Sequence, residues 1–425
     1  MKLFKIMALA VVLLTSKNTF AQEFDANLQI KPRYEFRNGY KAPIPHGETP
    51  AQFINSRTRL NLNFSQDKFV TKLSMQNVRT WGDVAPNTKS DVNGIQIFEA
   101  WAQYNFNEKW STRLGRQVIS YDNQRILGEV DWAPQAQSHD AVLLTYKNKK
   151  SHLDLGVAYN ANGETDIAVP YTVATYKAMQ YAWYHTELGK LNMSFLFLNT
   201  GYENKLIPPI PVPTPELKVD YMQTFGTYMN TKGKSWDGNL WFYGQTGKSN
   251  TYTVSAFDAA LNFNYALTDK FKAGFGYEFL SGKSQMNTST DIKSFLPVFG
   301  TNHGLNGYMD YFYVGNHKNS VGLQDAFLKF GYVVNKWQLV LLPHVFNASN
   351  TVLDTSGNKL NDYLGTEIDF TAGYSVHKFV NITGGYSQMF ASDTMQRLKG
   401  GDVDHTNNWG WLCINVNPQI FSYKK

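Results

Sequence analysis

Nine arginines occur in this chain of 425 residues, and eight of them lie between Arg33 and Arg125; the ninth is Arg397. Arg33, Arg37, Arg57 and Arg59 fall at even spacings among apolar residues, Arg113 and Arg116 are three apart, and Arg125 follows. A guanidinium is a planar fork that stays charged at any relevant pH and grips a carboxylate with two bonds at once. The chemistry such a cluster supports is anion binding. Two uses are open to it. The arginines can face a solute path and favour acidic solutes, or they can brace the fold by pairing with carboxylates such as Glu35, Glu99, Asp140, Asp220, Asp258, Asp325, Glu367 and Asp369. Because they are three apart, Arg113 and Arg116 cannot both face the same side of a regular strand.

Other chemistry is sparse. Nine histidines are scattered without His-x-x-x-His spacing, and Cys413 is the single cysteine, so neither a metal site nor an internal disulfide is indicated. Asp402, Asp404 and His405 could bind a cation, although a solvated loop explains them as well. No glycine-rich phosphate loop is present, and no spacing pairs His303, His317 or His405 with a nucleophile. Neither cofactor nor catalysis is expected.

The elements that must position the arginines are strands. Phe24, Ala26, Leu28, Ile30, Tyr34 and Phe36 alternate with Asp25, Asn27, Gln29, Lys31, Arg33, Glu35 and Arg37. Side chains of a strand point alternately to its two sides, so one side is apolar and the other polar. Helical spacing is nowhere sustained. Short turns recur as Asp67-Lys68-Phe69, Glu108-Lys109-Trp110, Asp269-Lys270-Phe271, Asn335-Lys336-Trp337 and His377-Lys378-Phe379, with Gly189-Lys190-Leu191 as a weaker copy. An aromatic ring beside a lysine suits a membrane–water interface, where the ring sits at headgroup depth and the ammonium stays wet. Long polar linkers alternate with these turns, at about 38–52, 80–93, 120–137, 161–175, 201–217, 282–320, 349–362 and 391–407, with one short connection near Gly247 to Asn250. The prolines from Pro208 to Pro215 suit a stiff external loop, since Pro lacks a ladder N–H.

Met1 to Ala21 has the form of an export signal: Lys2 and Lys5, an apolar core from Ile6 to Leu14, then Thr19-Phe20-Ala21. Its loss removes Lys2, Lys5 and Lys17 and no acid, which lowers the net charge from +6 to +3, so overall charge says little about partners. No long apolar run follows, which excludes a helical membrane protein, while aromatics at 15% suit a barrel whose lipid-facing residues alternate with lumen-facing ones. The expected fold is all-β. Residues 22–425 should form a single transmembrane antiparallel β-barrel of about 18 strands, with short periplasmic turns and long extracellular loops. The last strand is expected from Trp409 to Phe421, whose terminal aromatic suits a signal to the barrel-assembly machinery.

The segment Arg113-Leu114-Gly115-Arg116-Gln117, then Arg125, Gly128-Glu129-Val130-Asp131-Trp132 and Ser138-His139-Asp140-Ala141-Val142, resembles the alginate-export family of outer-membrane porins. Arg57-Thr58-Arg59-Leu60 also fits, and the resemblance is firmest over about 28–160. It implies an 18-stranded barrel with an electropositive lumen, through which an anionic polysaccharide leaves the periplasm. The positions it implies are Arg57, Arg59, Arg113, Arg116 and Arg125, with Asp140 as acidic partner. Beyond Arg125 only Arg397 remains, so a basic lining would cover one side of the lumen.

The expected function is a channel that passes polar, anionic or saccharide solutes without chemistry, lined by Arg33, Arg57, Arg59, Arg113, Arg116 and Arg125 together with Glu99 and Asp140. Trp101 and Trp241 could stack on sugars or simply pack. The expected partners are outer-membrane lipid and lipopolysaccharide, the solute and the assembly machinery, with no role for nucleic acid. Two rivals are a barrel hydrolase and an adhesion barrel whose loops bind. The linker 282–320 could serve binding or fold inward to plug the lumen.

Overall fold

The computed structural model describes residues 22–425 apart from 174, 207–215, 302, 313–315 and 318–319. The export signal and the proline run lie outside the described residues. Strands β1 (Gln22–Asn38), β2 (Ala51–Gln66), β3 (Phe69–Thr80), β4 (Gln96–Asn105), β5 (Trp110–Gln117) and β6 (His139–Lys147) open the chain. They continue as β7 (Ser151–Tyr159), β8 (Ala178–Leu188), β9 (Leu191–Leu206), β10 (Glu216–Lys232), β11 (Trp236–Ser249), β12 (Tyr252–Ala266) and β13 (Phe271–Leu280). After a long loop come β14 (Leu323–Val334), β15 (Trp337–Asn347), β16 (Tyr363–His377), β17 (Val380–Ala391), β18 (Asn407–Val416) and β19 (Gln419–Lys424). Strands β1 to β18 pair antiparallel with their neighbours in sequence, and β1 pairs with both β18 and β19, so the sheet closes. β18 and β19 are two halves of one stave separated by Asn417 and Pro418, which makes the barrel 18-stranded.

Closure leaves two surfaces with opposite chemistry. In β12, Phe257 and Leu261 are exposed to the outside, whereas Val254, Ala256 and Asp258 are buried inside. The same alternation runs around the wall. The well-packed core, including Met179, Tyr243, Tyr311, Phe346 and Trp409, therefore lies within the lumen and not between layers.

The Lys-aromatic turns sit at one rim. Asp67, Gly189 and Asn335 take positive φ, which lets the chain reverse in two residues. In the longer turns a side chain one residue earlier does the closing: Asn107 Oδ1 accepts from the backbone N–H groups of Lys109 and Trp110, and Thr268 Oγ1 accepts from those of Lys270 and Phe271. The turn aromatics then pack on a ring from the neighbouring strand. Phe69 meets Tyr104 at 4.9 Å, Trp110 meets Tyr146 at 4.9 Å and Trp337 meets Tyr374 at 4.7 Å. This is one of the two aromatic girdles expected of a membrane barrel. At the opposite rim, outward tyrosines donate to glutamines, as in Tyr34 to Gln52 and Tyr277 to Gln324.

The long connections follow the expected order, with two additions. The short external connection is the pair Asn250 and Thr251, both with positive φ. The last loop contains α1 (Asp393–Lys399), which the sequence pattern does not announce. Ser392 caps it by accepting from the Met395 N–H, and Gly400 ends it with φ 73°. A helix of two turns carries too little periodicity to stand out within a polar loop.

Leu261→Arg on the lipid side of β12 should cost about 2–4 kcal/mol of folding stability, read from urea titrations of the barrel in lipid vesicles. Asn262→Arg, one residue on and facing the lumen, should cost less than half as much.

Candidate functional site: the lumen and its inner loops

Two external loops, 118–138 and 281–322, turn inward and meet. Phe299 N–H donates to Ile126 O at 3.1 Å, Gly128 N–H to Phe299 O at 3.0 Å and Thr301 N–H to Gln124 O at 2.8 Å. Two glycines permit this approach. A Cβ on Gly300 would lie 2.1 Å from the Arg125 carbonyl oxygen, and one on Gly128 would lie 2.4 Å from Thr301 Oγ1.

Half of the arginine cluster holds these loops. Arg33 Nη1 donates to Trp132 O at 2.6 Å and its guanidinium lies over the Trp132 ring. Arg57 Nη1 donates to Asp131 Oδ1 at 2.7 Å and to Pro134 O at 3.2 Å. Arg59 binds Gln76, which in turn donates to Gln135 O at 2.8 Å. Lys31 Nζ completes the seat, 3.1 Å from Asp131 Oδ2. Arg33 and Arg37 share Glu35 between them, each at 2.8 Å.

Arg125 does the same work across the lumen. It is 1% exposed and lies 3.3 Å from Asp258 Oδ2 and 2.8 Å from Glu278 Oε1. It also donates to Asn306 Oδ1 at 3.0 Å, and Asn306 donates on to Glu278 and Asp325. Further along the second loop, Met309 N–H donates to Glu367 and Tyr308 N–H to Asp369. Tyr311 donates to Gly39 O, and Tyr40 donates to Asp310. His303 stacks on Trp132 at 4.1 Å, so the two loops also share an aromatic contact.

The remaining site residues divide. Glu99 is buried against Lys72 and accepts from Trp101 Nε1 at 3.1 Å. Arg116 and Asp140 do not join the lumen. They share a face with Leu114 and Val142, which are exposed to lipid, and pair with each other at 3.3 Å near the external rim. The three-residue spacing places Arg113 on the opposite face. Arg113 points inward, half-buried, donating to Gln103 at 2.8 Å and lying over the Trp101 ring at 4.1 Å. It is ion-paired with no carboxylate among the described residues, and it lines a lumen cavity of about 590 Å³ between the β4–β5 turn and the inner loop 118–138. Tyr121, Asp122, His152, Asp154 and Trp183 also line this cavity. Trp241, by contrast, is packed, 3% exposed and hydrogen-bonded to Asp258.

Below the loops the lumen wall carries amides. Asn192 donates to Asn230 at 2.9 Å, Asn262 to Asn239 at 2.9 Å, Asn264 to Asp237 at 2.8 Å and Gln29 to Asn415 at 3.0 Å. At the external end, Asp402 contacts His46 at 3.1 Å, and no group of three metal-binding side chains occurs among the described residues.

Residues 23–162 match the family model described as alginate export. By its fold and this match the chain is an outer-membrane β-barrel, whose first third is similar to the alginate-export family. The match covers β1 to β7 and the inner loop 118–138, the part that holds eight of the nine arginines. Solved structures share the barrel fold over 93–95% of the chain. OccAB4 of Acinetobacter baumannii aligns with a TM-score of 0.64 at 11% identity, covering 94% of this chain and 98% of that one. OpdK of Pseudomonas aeruginosa aligns at 0.62 and 9%, covering 95% and 99%. A BenF-like porin from Pseudomonas fluorescens aligns at 0.61 and 12%, covering 93% and 99%. Among curated proteins, none matches the chain by sequence.

Removing Arg125 leaves Asp258 and Glu278 buried without their cation, a change that costs about 3–5 kcal/mol at a buried pair. Arg125→Ala should therefore unseat both loops, raising single-channel conductance and exposing 281–322 to protease, while Arg125→Lys should restore part of the closure. Asp131 offers a pH test. Burial raises its carboxyl pKa, but the bond from Arg57 and the nearby Lys31 outweigh burial and hold it below the ordinary value. The depressed value means that the seat is fully present above the ordinary carboxylate pKa of about 3.9 and is lost as pH falls through the lower value of the folded state. Conductance should rise on acidification below pH ~4, and Asp131→Asn should remove that pH dependence.

Proposed function

We propose that the barrel is a passive channel for saccharide-like solutes, neutral or acidic, whose path runs along the amide wall and past Arg113. The observation that carries this reading is the division of labour among polar groups. Arg33, Arg57, Arg59 and Arg125 are buried in loop contacts, whereas Arg113 is half-exposed beside a cavity and the wall below it is amide-rich. Hydroxyl groups exchange water for amide donors and acceptors at little net change, because each partner replaces a bond of similar strength. Such contacts guide a solute without trapping it, which a channel requires. Arg113 adds a fork for a carboxylate, and Trp101 holds that fork flat from below. No covalent step enters the mechanism.

The test is permeation through liposomes and planar bilayers. Glucose and glucuronate should both swell liposomes containing the barrel. Arg113→Gln should slow glucuronate relative to glucose several-fold and move the zero-current potential in a KCl gradient towards cation selectivity. Arg116→Gln, on the outer face, should do neither. Equal effects of the two substitutions, or none from Arg113→Gln, would remove Arg113 from the path.

A further inference from the structure

One pocket near the external mouth has a charge character of its own. It measures about 420 Å³ and lies between the two ends of the loop 281–322 and the last turn of α1. Lys283, Ser284, Asn287, His317, Ser320 and Lys399 line it, and among the described residues no carboxylate does. Neither lysine is ion-paired among the described residues: Lys399 Nζ donates to Asn316 O, and Lys283 Nζ donates to Ser289 O at 2.7 Å. An ammonium has three donors, so capacity remains on both.

Burial lowers the Lys399 pKa to about 8, the response of a cation with no anion beside it. His317 adds no charge. Burial and the nearby Lys399 hold its pKa down to about 3, so the neutral ring donates Nε2–H to Gly322 O at 3.0 Å. The lining thus holds two ammonium groups, two serine hydroxyls and side-chain amides, all hydrogen-bond donors.

We infer that this pocket captures the anionic group, carboxylate or phosphate ester, of a sugar-sized solute at the external mouth. The inference deepens the channel reading and rests on it only for the solute's passage after capture; binding itself stands or falls separately. Two lysines on different segments and a ring of neutral donors match a compact anion carrying hydroxyls, and neutral sugars leave both charges unmet.

Calorimetric titration of the detergent-solubilised barrel at low ionic strength should show saturable binding of sodium glucuronate, of glucose 6-phosphate, or of both, and none of glucose. Which anion binds identifies the group recognised. The double variant Lys283→Gln/Lys399→Gln should bind at least tenfold more weakly. Wild-type protein gives an independent readout: the bound anion should protect Lys399 from acetylation at pH 8. Glucose binding as well as the anions, full-strength binding by the double variant, or an absence of protection would overturn the site. Single-channel conductance in NaCl, measured on the same protein, reports the channel reading separately.

Discussion

A polypeptide that crosses hydrocarbon has no water to satisfy its backbone, so every N–H and C=O must find a partner within the chain. For strands, that demand is met only when the sheet has no free edge, and here the pairing of β1 with β18 and β19 removes it. Everything else depends on this closure. It divides the side chains into a lipid-facing and a lumen-facing set, and it forces the usual buried core into a cylinder with no second sheet to pack against. The inner loops supply that missing partner. They carry Leu127, Phe299, Met309 and Tyr311 into the lumen, where these residues pack on the inner faces of the strands.

The loops are seated by charge as well as by packing. One wall, on β1 and β2, presents arginines, and the facing wall, on β12 to β16, presents Asp258, Glu278, Asp325, Glu367 and Asp369. Loop 118–138 answers the first wall with Asp131 and its carbonyls, and the second with Arg125. Loop 281–322 meets the acidic wall with Asn306 and two backbone N–H groups. Each buried charge thus has an opposite charge or a hydrogen bond, the condition under which charges persist away from water.

The strands, the tight turns and the alternation of short and long connections were legible because each depends on local pattern: period two for a strand, a polar residue and lysine for a turn, an aromatic at the interface. The export-family resemblance rested on residues that lie in β5, β6 and the loop between them, within the matched span. Arg113 and Arg116 were separable by their spacing alone. What could not be read was the use of Arg57, Arg59 and Arg125. Their partners are Asp131, Gln76, Asp258 and Glu278, and in Arg125's case the acids lie more than a hundred positions away in sequence. An alternating pattern states which side a residue faces, but not whether that side holds water or a loop. The two glycines at the crossing, Gly128 and Gly300, were the one available signal, because a loop that must pass close to another backbone leaves no room for a Cβ.

The interruption at Asn417 and Pro418 has a consequence for how the cylinder is zipped shut. Two strands with a repeat of two residues can slide past each other by a full repeat and still place every side chain on its proper side. Such a slip would leave the inside-outside pattern intact while shearing the whole wall. The closing seam cannot slide in this way, because its register shifts between Ala26 and Asn27, opposite the break, and Pro418 offers only a carbonyl, which Leu28 N–H takes. The irregularity acts as an index mark: among the even offsets that the side chains tolerate, it singles out one alignment of the first and last staves.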